Sequence, residues 1–155
     1  MSGHPRLGSR TAALAVDVGR AVAARRGDPE PAVVDVSRLG ADLLIADAPG
    51  TAAALDQLRG ADLLVVATPT YKGAYTGLLK VLFDHLPARA LDGRAALTVV
   101  TAGAAAQATA AEGHLQDLLG ELGARVARPG LTVVESDLAD AAEIAVRYAT
   151  AASVA

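Results

Sequence analysis

Apolar residues collect in four short runs, at 32–36, 62–68, 95–101 and 131–135, and between these runs apolar positions recur at every third or fourth residue. Short runs without polar alternation are strands covered on both faces, whereas the wider spacing belongs to amphipathic helices. Their alternation predicts an α/β domain with a parallel sheet and helices on both sides. A first helix is expected over 11–25, with Leu14, Val18 and Val22 on one face and Gly27-Asp28-Pro29 ending it. A short one follows at 51–58, while 37–50 has no clean period and reads as loop. The third begins at Thr76 or Gly77, carries Leu78, Leu79, Val81, Leu82, Phe83 and Leu86, and stops at Pro87. Two more are expected over 105–122 and 138–152.

The helix over 77–86 is apolar on more than one face, so it is either deeply buried or shared with another subunit. A homodimer or homotetramer is therefore expected. One element is missing from the pattern. A doubly wound sheet starts with a strand that feeds its first loop, yet the turn-like segment Gly3-His4-Pro5-Arg6-Leu7-Gly8-Ser9-Arg10-Thr11 begins two residues after Met1. The expectation is a natural protein that starts several residues upstream, with a strand of roughly five residues entering Gly3.

Composition narrows the chemistry. At 155 residues the chain is read as one domain, 1–155, and the absence of cysteine excludes disulfides, thiolate catalysis and Cys-ligated metals. Net charge is −3 with scattered arginines, which argues against a nucleic-acid footprint. No apolar run approaches a membrane span and no signal-like start is visible, so no membrane association and a cytoplasmic location are expected. His85 and His114 lack a second ligand at metal spacing, and no metal site is expected.

Three segments lie where strand carboxyl ends meet helix starts: 3–11, 69–77 and 101–104. Ligands of open α/β sheets sit at that edge. The first combines glycines, Ser9 and Thr11 ahead of a helix whose free N–H groups attract phosphate, although on this segment alone a Ser N-cap in a Pro/Gly turn is the better explanation. The second, Thr-Pro-Thr-Tyr-Lys-Gly-Ala-Tyr-Thr-Gly, holds two of the three tyrosines in a chain that is only 3% aromatic. The third is Thr101-Ala102-Gly103-Ala104.

Taken together, Gly-x-Pro-Arg-x-x-Ser-Arg-Thr, Ala-Thr-Pro-Thr-Tyr-Lys-Gly-x-Tyr-Thr-Gly-Leu-Leu-Lys with Phe83-Asp84 and Leu86-Pro87, and Thr-x-Gly resemble the NAD(P)H-dependent FMN reductases of flavodoxin-like fold. The likeness is greatest to the reductases that supply reduced flavin to two-component monooxygenases, and it extends from Gly3 to about Val134. It implies a flavodoxin-like doubly wound parallel sheet, here without its first, central strand. It also implies FMN as cofactor and NADPH or NADH as reductant, with flavin and nicotinamide nucleotides and a partner monooxygenase as interaction partners.

Carried onto this sequence, the resemblance places the FMN phosphate at Ser9, Arg10 and Thr11 with the backbone of Gly3 to Arg6. Pro69, Thr70, Tyr71, Lys72 and Gly73 would line the isoalloxazine ring, and Thr101, Ala102 and Gly103 would close its pyrimidine end. His4 replaces a small polar residue of the family, where it either crowds the phosphate or donates to it, and Arg6 stands beside it. No catalytic side chain is expected, since hydride passes between the two cofactors and the protein supplies binding, orientation and electrostatics. Two other readings stay open: a quinone or azo-compound reductase with resident FMN, and a truncated non-enzymatic flavodoxin-like binding module.

Overall fold

The computed structural model describes residues 1–152; the last three residues of the expected domain, 153–155, lie outside the described residues. Among the described residues five helices and four strands follow in the order α1 (Arg10–Arg26), α2 (Pro49–Gly60), β1 (Leu63–Pro69), α3 (Gly77–Asp84), β2 (Ala95–Ala102), α4 (Ala105–Glu121), β3 (Arg125–Val126), β4 (Leu131–Val134) and α5 (Ala141–Ala151). Short 3-10 turns at Val36–Arg38 and Gly40–Leu44 occupy the stretch without period, and another at Glu135–Asp140 takes the first turn expected of α5.

Local chemistry fixes the helix ends. The Ser9 side chain accepts the amide of Ala12 to cap α1, and Gly27 ends it in the left-handed region at φ 74°. Thr76 caps α3 by accepting the Leu79 amide. The termination of α1 at Gly27-Asp28-Pro29 was legible in the sequence, to within one residue.

The sheet is parallel. β1 runs beside β2 in continuous register from Leu63 opposite Ala95 to Pro69 opposite Thr101. The other edge of β2 carries β3 at its start and β4 at its carboxyl end. All eight residues of β2 are buried, as a strand with neighbours on both edges and helices on both faces requires. The sequence pattern did not reveal β3, whose two residues are too short a run to register.

The run at 32–36 does not form the expected strand. Its contact with the sheet is a single bridge from Asp35 to Ser2. Ser2 also bridges Ala67 of β1. Its amide donates to Val34 O at 2.9 Å, the Val36 amide donates to Ser2 O at 3.0 Å, and the Gly3 amide donates to Ala67 O at 2.8 Å. The spatial order is therefore residues 34–36, Met1 to Gly3, β1, β2, then β3 and β4. This is the 2-1-3-4-5 order of the flavodoxin-like sheet, with its central position held by three residues instead of a full strand.

Two cores flank the sheet. Leu14, Val18 and Val22 of α1 pack with Ala145 and Ala149 of α5 against Ala67, Leu97 and Val99. On the opposite face Leu55 and Leu58 of α2, Leu79, Leu82 and Phe83 of α3, and Leu115 and Leu119 of α4 pack against Val66 and Val100. No described helix is long and apolar enough to cross a membrane.

Candidate functional site

The first loop is anchored at both ends before any ligand is considered. Gly3 is pinned to β1 through Ala67, and Thr76 Oγ1 donates to Gly3 O at 2.6 Å. Gly3 can hold this place only without a side chain, since a Cβ would lie 2.7 Å from Leu79 Cβ on α3. Downstream, Thr11 Oγ1 and Thr101 Oγ1 stand 2.7 Å apart, both buried, which joins the start of α1 to the end of β2. Sequence reasoning missed Thr68 and Thr76. The Thr76 amide donates to Thr68 Oγ1 at 3.1 Å, so these two hydroxyls close the base of the second loop.

That loop is a two-residue hairpin. The Tyr71 amide donates to Ala74 O at 2.9 Å and the Ala74 amide to Tyr71 O at 3.3 Å, while Lys72 at φ 54° and Gly73 at φ 84° form the turn. Positive φ at both central residues is the geometry of a type I′ turn. Tyr71 is 46% exposed at the hairpin base. The neighbouring Thr70 amide donates to Thr101 O at 2.8 Å, which links the second loop to the end of β2. Thr70 Oγ1 is buried with no hydrogen-bond partner within the described chain.

A cavity of about 320 Å³ opens at this edge, walled by residues of the first two loops, by Thr101 near the end of β2, and by Glu135 and Leu138 after β4. It brings together His4, Arg6, Ser9, Arg10, Thr11, Pro69, Tyr71 and Thr101. Other expected residues stand outside its lining. Lys72 and Gly73 sit exposed at the hairpin tip, and Gly103 is exposed beyond β2. Thr101 and Ala102 were expected in the third loop but are the last two residues of β2, because β4 pairs with β2 as far as Ala102. Ala102 is buried within the sheet, facing the core.

The cavity has a mixed charge. Arg10 Nη1 donates to Glu135 O at 3.1 Å, and Nη2 lies 3.5 Å from Glu135 Oε2. Glu135 was not singled out from the sequence, although it directly follows β4 and so lies at the same carboxyl edge of the sheet. His4 is 6% exposed, and its Nδ1 accepts the Arg6 amide at 2.9 Å, which leaves Nε2 to carry the proton of the neutral ring. Burial, helped by the Arg6 charge, holds this imidazole below the usual histidine range. Its ring meets Tyr71 edge-on, with centroids 6.2 Å apart. In the first turn of α1, Ser9 takes the amides of Ala12 and Ala13, leaving those of Arg10 and Thr11 free of intrahelical partners. Free amides, hydroxyls and two guanidinium groups make an anion-binding donor set.

Residues 1–138 match the family described as NADPH-dependent FMN reductase. The FMN reductase (NADPH) of Escherichia coli (strain K12) is 42% identical over 101 residues, covering 64% of this chain and 53% of that protein. The NADH-dependent FMN reductase SfnF of Pseudomonas fluorescens (strain Pf0-1) is 37% identical over 108 residues, covering 68% and 58%. The chain spans about half the length of the curated relatives it matches. The solved apo form of an NADH:FMN oxidoreductase superposes with a TM-score of 0.83 at 34% identity, over 99% of this chain and 88% of that one. An archaeal flavodoxin, at 16% identity and a TM-score of 0.59, covers 97% of this chain and 95% of its own and shares the fold.

Proposed function

The chain belongs to the NADPH-dependent FMN reductase family, and we propose that it binds FMN at the carboxyl edge of its sheet and reduces it with NADPH or NADH. The observation that carries this reading is the convergence of the first two loops and the end of β2 on one cavity whose donors suit a phosphate. FMN would supply the hydride acceptor for the nicotinamide. Ser9, Arg10 and Thr11 would hold its phosphate with hydroxyls, a guanidinium and free helix amides, and His4 Nε2–H adds a further donor.

The chain's other residues fit the flavin ring. The unpartnered Thr70 hydroxyl is a buried polar group in want of a hydrogen bond, which a heteroatom of a bound ring would provide. Tyr71 offers an exposed flat face, and a Cβ at Gly73 or Gly103 would meet no atom of the chain within 4 Å, which leaves open space along both loops. These residues bind, orient and exclude water. No side chain of the site is assigned a proton transfer.

Titration of the purified chain with FMN, followed by quenching of flavin fluorescence, tests the reading. Saturable quenching is expected, together with FMN-dependent oxidation of NADPH or NADH; unchanged fluorescence would overturn it. We propose further that reduced FMN leaves the site for a partner monooxygenase, which agrees with an exposed Tyr71 and hairpin tip. Steady-state rates should then saturate with free FMN as the varied substrate. A rate indifferent to added FMN would point instead to resident flavin, as in a quinone or azo-compound reductase.

A further inference from the structure

One wall of the cavity at the carboxyl edge comes from the 3-10 turn that follows β4. This turn supplies Glu135, the single carboxylate among the described residues of a lining that also holds Arg6 and Arg10. A phosphate monoester carries a charge of about −1.5 to −2 at pH 7, so a carboxylate is an adverse neighbour for it. On the premise that FMN binds here, we propose that Glu135 is a specificity-determining residue. Its charge loosens the hold on the flavin phosphate, so that recognition rests on the ring and FMN exchanges with solvent.

The fold places Glu135 firmly. Val134 pairs with Ala102 at the carboxyl end of the sheet, and Leu138 is buried in the core that α1 and α5 share. The backbone between them is thereby fixed, and it is this backbone that orients Arg10, whose Nη1 donates to Glu135 O at 3.1 Å. The Glu135 side chain adds little to that grip. Its Oε2 stands 3.5 Å from Arg10 Nη2, at the long limit of a hydrogen bond, and both side chains are more than half exposed. An exposed ion pair of this length contributes little to folding. What the carboxylate does bring to the cavity is its charge.

That charge acts on the phosphate donors in two ways. It draws on the Arg10 guanidinium, whose fork would otherwise be open to two phosphate oxygens. It also repels an incoming dianion, and it offsets one of the two guanidinium charges in the lining. His4 lies within its reach as well: burial and Arg6 lower the His4 pKa, and Glu135 is among the charges that oppose them. Contacts of the ring with Thr70 and Tyr71 are independent of this charge. Riboflavin, which differs from FMN in lacking the phosphate, therefore isolates the effect. A loosely held phosphate suits a flavin that is reduced and then released.

Fluorescence-quenching titrations with FMN and with riboflavin test the proposal on the unmodified chain, Glu135→Gln and Asp137→Asn. Glutamine keeps the length of the side chain and the carbonyl that holds Arg10 while removing the charge. Asp137 is exposed in the same turn but outside the lining, so Asp137→Asn makes an equal change in net charge away from the cavity. Glu135→Gln should bind FMN about fivefold more tightly at low ionic strength, the scale of charges separated by several ångströms of water. The gain should shrink as salt is raised to about 0.5 M. Riboflavin affinity should be the same in all three chains, and Asp137→Asn should keep the FMN affinity of the unmodified chain. Unchanged or weaker FMN binding by Glu135→Gln, an equal gain for riboflavin, or an equal gain in Asp137→Asn would overturn the role of Glu135 and leave the FMN site standing. Quenching of FMN by none of the three chains would overturn the site itself, and this inference with it.

Discussion

Gly3 carries a constraint that no other residue type can meet. Its backbone is bonded to β1 on one side and to the Thr76 hydroxyl on the other, with Leu79 pressed against the position a Cβ would occupy. Gly3→Ala must displace α3 or the first loop, and it should cost about 1–3 kcal/mol, read as a lower urea midpoint with an unchanged slope. His4 makes a prediction of a different kind. Folding holds its pKa below the unfolded value of about 6.5, so the neutral ring is the form that folding favours. The associated stability is present above that pH and is lost as the pH falls toward the folded-state value. Urea unfolding from pH 7 to pH 5 should therefore show a steeper loss for the unmodified chain than for His4→Gln; parallel loss would mean that His4 does not titrate in this way.

Among the elements, the hairpin at 71–74 was legible as a Pro/Gly-punctuated loop, but not as a type I′ turn. Lys72 is not a residue the sequence marks for positive φ, and it is held there by the paired backbone bonds of Tyr71 and Ala74. Gly73→Val puts a β-branched residue at φ 84° and fills the open side of the turn. It should weaken FMN binding at least about tenfold, equivalent to about 1.4 kcal/mol. Gly93→Val is the matching control, since Gly93 has φ 72° with equally open space but precedes the amino end of β2. The control should share the strain while leaving FMN affinity unchanged; equal loss in both variants would assign the effect to general destabilisation. Helices were the more legible elements because caps such as Ser9 and Gly27 act locally. The run at 32–36 misled because strand formation depends on a neighbour, and Glu135 escaped notice because its place beside Arg10 is set by a contact across 125 residues of chain.

At the scale of the whole molecule, the parallel sheet followed from the alternation of elements and its 2-1-3-4-5 order from the family resemblance alone, whereas the surplus of apolar residues on α3 had two explanations that only packing separates. Leu79, Leu82 and Phe83 are buried in the chain's own core, which accounts for much of that surplus. Leu78 and Val81 remain partly exposed, and the 3-10 turn packed against α3 ends in Leu44, 73% exposed, followed by the exposed Ile45. An apolar surface spread over a helix and its adjoining turn is costly to leave in water, and closed self-association covers such a patch with its own copy. We therefore propose that the chain forms a dimer or tetramer through this face. Sedimentation at micromolar concentration should give an oligomer. Leu44→Asp, a change at an exposed turn that leaves the core intact, should shift the sedimentation coefficient toward that of the monomer while Tm measured at high dilution stays within a few degrees. A monomer from the unmodified chain, or an oligomer indifferent to Leu44→Asp, would remove this face from the assembly.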